Sequence, residues 1–286
     1  MTDATLQRPM LAQPISARAS LSRSRLFGFV IILALANSLF YPVLGAIKDQ
    51  GLGVAVANTF GVSVFVWVAC WLATRYALQP DARGPSWLDW AAALALGSAV
   101  AMPLGPLLWA IITGLGIFLL LTSAPGEGLR RSGWILVSLS VPMFWSKRIF
   151  NILSDPVLAA DAFLVSLITQ TEQKGNLVGI PGEKGYLMVA QACSSLANLS
   201  LVILCWVLFT QSAGARWRPR NLLFCLLACA AVVLINVIRI SLIGFFPQHY
   251  DILHGPIGQT VTSWVTVAVS TLICYWGVRR GDIRSI

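Results

Sequence analysis

"NLLFCLLACAAVVLINVIRISLIGFF", residues 221–246, carries a single charge, Arg239. A helix needs about 20 predominantly apolar residues to cross a ~30 Å hydrocarbon core, and this run has them. In hydrocarbon each backbone N–H and C=O must be satisfied internally, so the stretch reads as a spanning α-helix with its span at roughly 221–243. Arg239 falls about one turn from the far end, with Asn236 three residues earlier on the same helical face. A charged side chain costs on the order of 3 kcal/mol at mid-bilayer and less near the interface, so its presence needs a reason.

Working outward, the same kind of run recurs. The 286 residues are 57% hydrophobic and 11% charged, whereas soluble domains carry roughly 25% charged residues. Spans are predicted at 26–46, 52–73, 87–103, 106–123, 132–149, 187–210, 221–243 and 257–278. The third and fourth are separated at Pro103 and Pro106, which break a helix. The fold class is therefore all-α: a polytopic transmembrane bundle of about eight spans. The net charge of +9 needs no nucleic-acid partner. Its arginines (Arg75, Arg83, Arg130, Arg131, "RWRPR" at 216–220, Arg279, Arg280 and Arg284) fall between spans on the side that also takes both termini, and that side is cytoplasmic by the positive-inside rule.

The expected division is a polar, disordered cytoplasmic N-terminus at 1–25, N-terminal transmembrane helices at 26–149, a core at 150–278 and a cytoplasmic tail at 279–286. The first apolar run is too long for a signal-peptide core and reads as an uncleaved span. Residues 150–186 then lie outside. "SDPVLAADAFLVSLITQ" (154–170) has a capping pair and an early proline before a semi-amphipathic run, which predicts a helix along the membrane surface. "KGNLVGIPGEKGY" (174–186) is rich in glycine and turn residues and predicts a hairpin or ordered loop.

Among the six cysteines, Cys70, Cys205, Cys225, Cys229 and Cys274 fall at mid-membrane or in the cytoplasmic half, as small apolar filler. Cys193, in "QACSSLANLS" (191–200), falls in the outer half, about two turns into its predicted helix, beside Ser194, Ser195 and Asn198. The other five lie too deep to pair with it, which leaves a free thiol near an extracytoplasmic surface. Both histidines, His249 and His254, follow the Arg239 helix in "QHYDILHGPIG", with His254 at the mouth of the last span.

Thiol, guanidinium and imidazole at one depth suffice for acyl transfer. A cationic neighbour stabilises the thiolate. An imidazole moves a proton to the leaving amine, and a guanidinium holds the oxyanion of a tetrahedral intermediate. Each residue also has an ordinary reading: a membrane cysteine as filler, a terminal arginine snorkelling to headgroups, a loop histidine simply solvated. Their shared depth favours the site, with Ser194, Ser195, Asn198 and Asn236 as candidate cleft residues. The histidine spacing matches no helix-borne metal pair and no carboxylate or cysteine cluster accompanies it, so neither metal nor cofactor is expected.

"ACSSL" at the head of one span, "NVIRI" at the outer end of the next, and histidine then glycine before the last resemble the exosortase/archaeosortase family. The resemblance covers roughly residues 150–278 and takes in "GNLVGIPGEKGY". It implies a membrane-embedded cysteine transpeptidase that cleaves a C-terminal sorting signal (short motif, transmembrane helix, basic tail) outside the membrane, in bacteria often with a tie to exopolysaccharide production. Its partners are then a membrane-anchored protein substrate and the bilayer, and its location the cytoplasmic membrane of a bacterium. Carried over residue by residue, the nucleophile falls on Cys193, the arginine on Arg239 and the third catalytic residue on His254. Ser195 stands where the family usually has glycine. The competing class is a non-enzymatic transporter or export component in which Arg239 binds an anion; polar or broken-helix features at the midplane would mark it.

Overall fold

The computed structural model describes residues 21–102, 104–215 and 219–282. Most of the expected N-terminal segment, three residues of the basic 216–220 stretch and Arg284 lie outside the described residues. Within them the protein is an all-α membrane bundle. Four helices are long and apolar enough to cross a membrane, at Arg23–Gln50, Gly128–Thr169, Asn221–Phe245 and Ile257–Arg279. Shorter apolar helices stand between them at Val64–Ala77, Trp87–Val100, Leu107–Thr122 and Leu196–Ser212.

The first helix, α1 (Arg23–Gln50), starts three residues before the expected span because Ser22 caps it, its side chain accepting from the Arg25 amide. The expected second span is broken into α2 (Leu52–Ala57), a 3₁₀ turn at Thr59–Gly61 and α3 (Val64–Ala77). Thr59, Phe60 and Gly61 take positive φ there, which no helix accommodates. The split at the prolines holds, with α4 (Trp87–Ala101) and α5 (Leu107–Thr122) on either side. Ser86 and Asp89 close a reciprocal capping box at the start of α4.

The fifth span needs correction at both ends. Helix α6 (Gly128–Ser140) passes through a π-helical turn, Val141–Trp145, into α7 (Ser146–Thr169). Pro142 has no N–H for the α ladder, which favours the wider turn. Residues 154–170 are thus the second half of a long helix rather than a separate surface element. Leu153 kinks it at φ −115° and ψ 25°, just before Pro156.

The 174–186 stretch forms the expected hairpin within a small antiparallel sheet, β1 (Gln173–Lys174), β2 (Leu177–Gly179) and β3 (Tyr186–Met188), in that order. Val178 pairs with Leu187 and Lys174 with Leu177. Across the sheet, the Tyr186 hydroxyl accepts from the Lys174 ammonium at 2.9 Å and, with Glu172 nearby, holds its pKa above the ordinary lysine range. Because β3 consumes the start of the expected 187–210 span, α8 (Leu196–Ser212) begins later. The chain ends in α9 (Pro219–Phe245), a short α10 (Tyr250–His254) and α11 (Pro256–Asp282).

One end of the bundle gathers α1, α4 and α6 starts with α3, α5 and α8 ends. Arg23 of α1 pairs with Asp89 of α4 at 2.8 Å and bonds Ser123 after α5 at 2.9 Å. The Arg130 guanidinium of α6 donates to the Leu120 and Ser123 carbonyls, and the Tyr76 hydroxyl of α3 reaches the Gln211 carbonyl of α8. Helices α5 and α6 touch backbone to backbone: a Cβ on Gly116 would lie 2.9 Å from the Gly133 carbonyl oxygen, and one on Gly133 2.8 Å from that of Gly116. Small residues permit such approach where lipid supplies no hydrophobic drive between helices. The main core joins α1, α3, α5, α6 and α8, with Phe27, Ile112, Leu136 and Leu204 fully buried. A second, smaller cluster lies at the other end and includes Ala162, Val165, Val178, Val189, Cys193, Val237 and Ile240.

Candidate active site

That second cluster is built from the hairpin, α7, α9 and the connection into α8. Cys193 does not lie two turns inside a helix, as the sequence suggested; it ends a 3₁₀ turn, Gln191–Cys193, between β3 and α8. The strand register fixes this, since the Val189 amide still donates to the Asn176 carbonyl at 2.9 Å. The thiol therefore sits just ahead of a helix N-terminus, where the backbone dipole favours an anion. It is one of six free cysteines, and its residue is 7% exposed. The other five belong to or pack against the main core, away from it.

The segment around the thiol is pinned from both sides. Ser194 turns its hydroxyl onto the Leu196 amide at 3.3 Å, and α8 follows. The Ser195 amide and hydroxyl both donate to Asp161 of α7, at 3.0 and 2.6 Å. Asp161 is 3% exposed, so this double acceptance is what makes its burial tolerable. On the other side, the Asn236 side-chain amide of α9 donates to the Cys193 carbonyl at 2.7 Å. Ser195 and Asn236, expected in a cleft, are buried and spend these side-chain groups on holding the cysteine turn; Ser194 is buried too, and Asn198 is partly exposed on the first turn of α8.

Arg239 follows Asn236 by one turn of α9 and is half-buried. Its Nε makes one long contact, 3.5 Å, to the Leu253 carbonyl of α10. No ion pair involves it among the described residues. His254 comes next after Leu253 and stacks its ring on Tyr250, 4.8 Å between centroids and 11° between planes. Its carbonyl accepts from the Gln259 side chain at 3.0 Å. The turn into α11 is tight: a Cβ on Gly258 would fall 2.2 Å from the Leu253 carbonyl oxygen, so glycine is required there.

One turn of α9 thus touches the segments that carry Cys193 and His254. Asn236 holds the Cys193 backbone, Val237 and Ile240 share a cluster with Cys193, and Arg239 touches the residue before His254. His249 is not part of this arrangement; it is exposed, with its ring edge-on to Phe246. Asp161 was missed from sequence, although "AADAFLV" offered the signal: a carboxylate in an apolar stretch requires a partner if it is buried. Among the described residues no group of three His, Cys, Asp or Glu side chains could hold a metal ion.

A helical bundle with this many apolar helices defines a multi-pass membrane protein, and its candidate site lies at the end where the hairpin, α7, α8 and α9 meet. The family model described as transmembrane exosortase matches residues 55–276, extending well into the N-terminal helices. The chain belongs to the transmembrane exosortase family, and at the level of the family it is a membrane transpeptidase of the exosortase type. No curated protein and no solved structure gives a significant match.

Proposed function

We propose that this protein cleaves the C-terminal sorting signal of membrane-anchored, exported proteins, with Cys193 as nucleophile, Arg239 stabilising charge and His254 moving the proton. The reading rests on one observation: the Asn236–Arg239 turn of α9 holds the Cys193 turn on one side and meets the segment carrying His254 on the other. The Cys193 thiol gives its proton to the His254 imidazole, and its sulfur adds to the scissile carbonyl. Arg239, with guanidinium donors left unused by its single backbone contact, holds the oxyanion. Collapse breaks the C–N bond, His254 protonates the leaving amine, and a thioester on Cys193 remains. An acceptor amine, or water, then releases the acyl group.

In this reading residues 150–278 form the catalytic core, 26–149 the membrane helices that support it, and 1–25 and 279–286 cytoplasmic extensions. The ion-paired, arginine-rich end of the bundle faces the cytoplasm of a bacterium and the cysteine end faces outward, where a substrate with its own membrane anchor presents its cleavage site. Exported proteins of an exopolysaccharide-producing surface are the substrates this suggests.

The thioester is the test. With acceptor withheld, wild-type protein should accumulate an acyl-enzyme that hydroxylamine releases as a hydroxamate; Cys193→Ala should give none, and Cys205→Ala or Cys225→Ala should give normal amounts. Continued substrate cleavage by stably inserted Cys193→Ala protein would falsify the cysteine mechanism. Orientation is read separately: cysteines introduced in the 174–186 hairpin should react in intact cells with a membrane-impermeant maleimide, and one placed in the 78–86 loop should not.

A further inference from the structure

A cavity of about 600 Å³ opens on another side of the bundle, between the second half of α1, the turn joining α4 to α5, and the π-turn leading into α7. Its size is that of a ligand site. It lies at the end remote from the Arg23–Asp89 pair, since α4 starts at that pair and α5 returns to it. Lys147 and Arg148 line it, and no carboxylate does. Neither cation takes part in an ion pair among the described residues. Arg148 instead sits with its guanidinium carbon 5.2 Å from the Phe144 ring centroid. The remaining wall is largely apolar, with Leu108, Trp109 and Met143.

Two further observations mark it as a built site. Ser38 lines the cavity, is 7% exposed, and its hydroxyl has no hydrogen-bond partner. A buried hydroxyl left unpaired costs about 1–3 kcal/mol, which an incoming acceptor oxygen recovers. The π-turn supplies Met143 and Phe144 and delivers the two cations side by side from the first turn of α7. Such interruptions of a helix are frequent at functional sites.

We propose that this cavity binds one anionic phospholipid, its phosphate held by Lys147 and Arg148 and an acyl chain laid along Leu108, Trp109 and Met143. Paired cations without a counter-ion select negative charge, and the apolar wall selects an amphiphile over free phosphate. The site is separate from the cysteine cluster and does not depend on its chemistry.

The test uses the full chain in a neutral detergent, titrated with phosphatidylglycerol, phosphatidylcholine or inorganic phosphate and followed by thermal unfolding and by mass spectrometry of the intact complex. Phosphatidylglycerol should raise the unfolding temperature by several degrees and leave a single bound lipid. Phosphatidylcholine and inorganic phosphate should do neither. Lys147→Ala and Arg148→Ala each replace an exposed side chain, and each should weaken the lipid about fivefold, at roughly 1 kcal/mol per cation, with the double variant losing the bound lipid. Equal shifts with both lipids would mean annular lipid only. A shift with phosphate alone would mean a free anion, and unaltered affinity in both single variants would place the lipid elsewhere; each of these outcomes overturns the proposal.

Discussion

Two arginines stand near opposite ends of the bundle, and the structure treats them differently. Arg23 is 4% exposed and engages all three guanidinium nitrogens, on Asp89 at 2.8 Å, Ser123 at 2.9 Å and Thr122 at 2.5 Å, while its amide reaches the Arg83 carbonyl. Arg239 is half-buried and makes one 3.5 Å contact to a backbone carbonyl. A guanidinium has five N–H donors. At Arg23 they join three helices; at Arg239 one long contact leaves most of them without a protein partner among the described residues, the donors that the proposed reading gives to an oxyanion. In sequence Arg23 falls within the segment expected to be a polar, disordered leader, whereas Arg239 is weighed as a headgroup anchor and preferred as a catalytic residue. Only the partners separate an arginine bound into the fold from one with donors to spare.

The sharpest way to break the contrast is to truncate each. Arg23→Ala leaves the buried Asp89 carboxylate without its cation, and removing one partner of a buried pair costs about 3–5 kcal/mol. Unfolding by heat or by denaturant in mixed micelles should show that loss, while turnover per folded molecule stays unaltered. A stable, inactive Arg23→Ala protein would abolish the distinction. Arg239→Lys should behave in the opposite sense. It keeps the charge and loses the planar fork, so kcat should fall about 10²–10³-fold, the usual loss for one oxyanion donor, with stability little altered. Near-normal turnover of this variant would return Arg239 to the headgroups.

A smaller effect is expected at Gly258, which bears on Arg239 indirectly. Its missing Cβ lets the Leu253 carbonyl approach, and that carbonyl is the Arg239 contact. Gly258→Ala should cost about 1–3 kcal/mol by overpacking and lower turnover as well, because the displaced carbonyl belongs to the residue before His254. Stability loss with full turnover would show that the α10–α11 turn only supports the fold.

Hydrophobic run length was enough to read the bundle, because crossing hydrocarbon as helix is close to obligatory. The Pro103–Pro106 break and the glycine-rich hairpin were equally legible, since proline and glycine act locally. What escaped depended on pairings distant in sequence. "YLMVA" continues an apolar pattern and reads as helix, yet Tyr186–Met188 is claimed by β2, and this moves Cys193 from a helix interior to the turn before one. The 132–149 span ran on into α7 because Pro142 widened the helix instead of ending it. Residue types at the candidate site could be named from sequence and resemblance; Asp161 could not be tied to Ser195, thirty-four positions away, until the fold joined them.

That tie supplies the mildest prediction and the finest test of the contrast between holding and reacting. Ser195 stands where the resemblance leads one to expect glycine, and its hydroxyl gives Asp161 a second donor beside the backbone amide of the same residue. Ser195→Ala leaves the carboxylate with the amide alone and should cost about 1–3 kcal/mol, and Asp161→Asn should cost a similar amount by weakening both bonds. Because the two act on one contact, the double variant should lose less than the sum, with a coupling of about 0.5–3 kcal/mol in a thermodynamic cycle. Turnover per folded molecule should change little in any of the three, since the Cys193 carbonyl stays tethered by Asn236. Additive losses would mean that the contact is not a stabilising one. A drop in kcat at full stability would instead give Ser195 a direct part in handling the substrate, moving it from the scaffold that holds the cysteine turn to the cleft in which the peptide reacts.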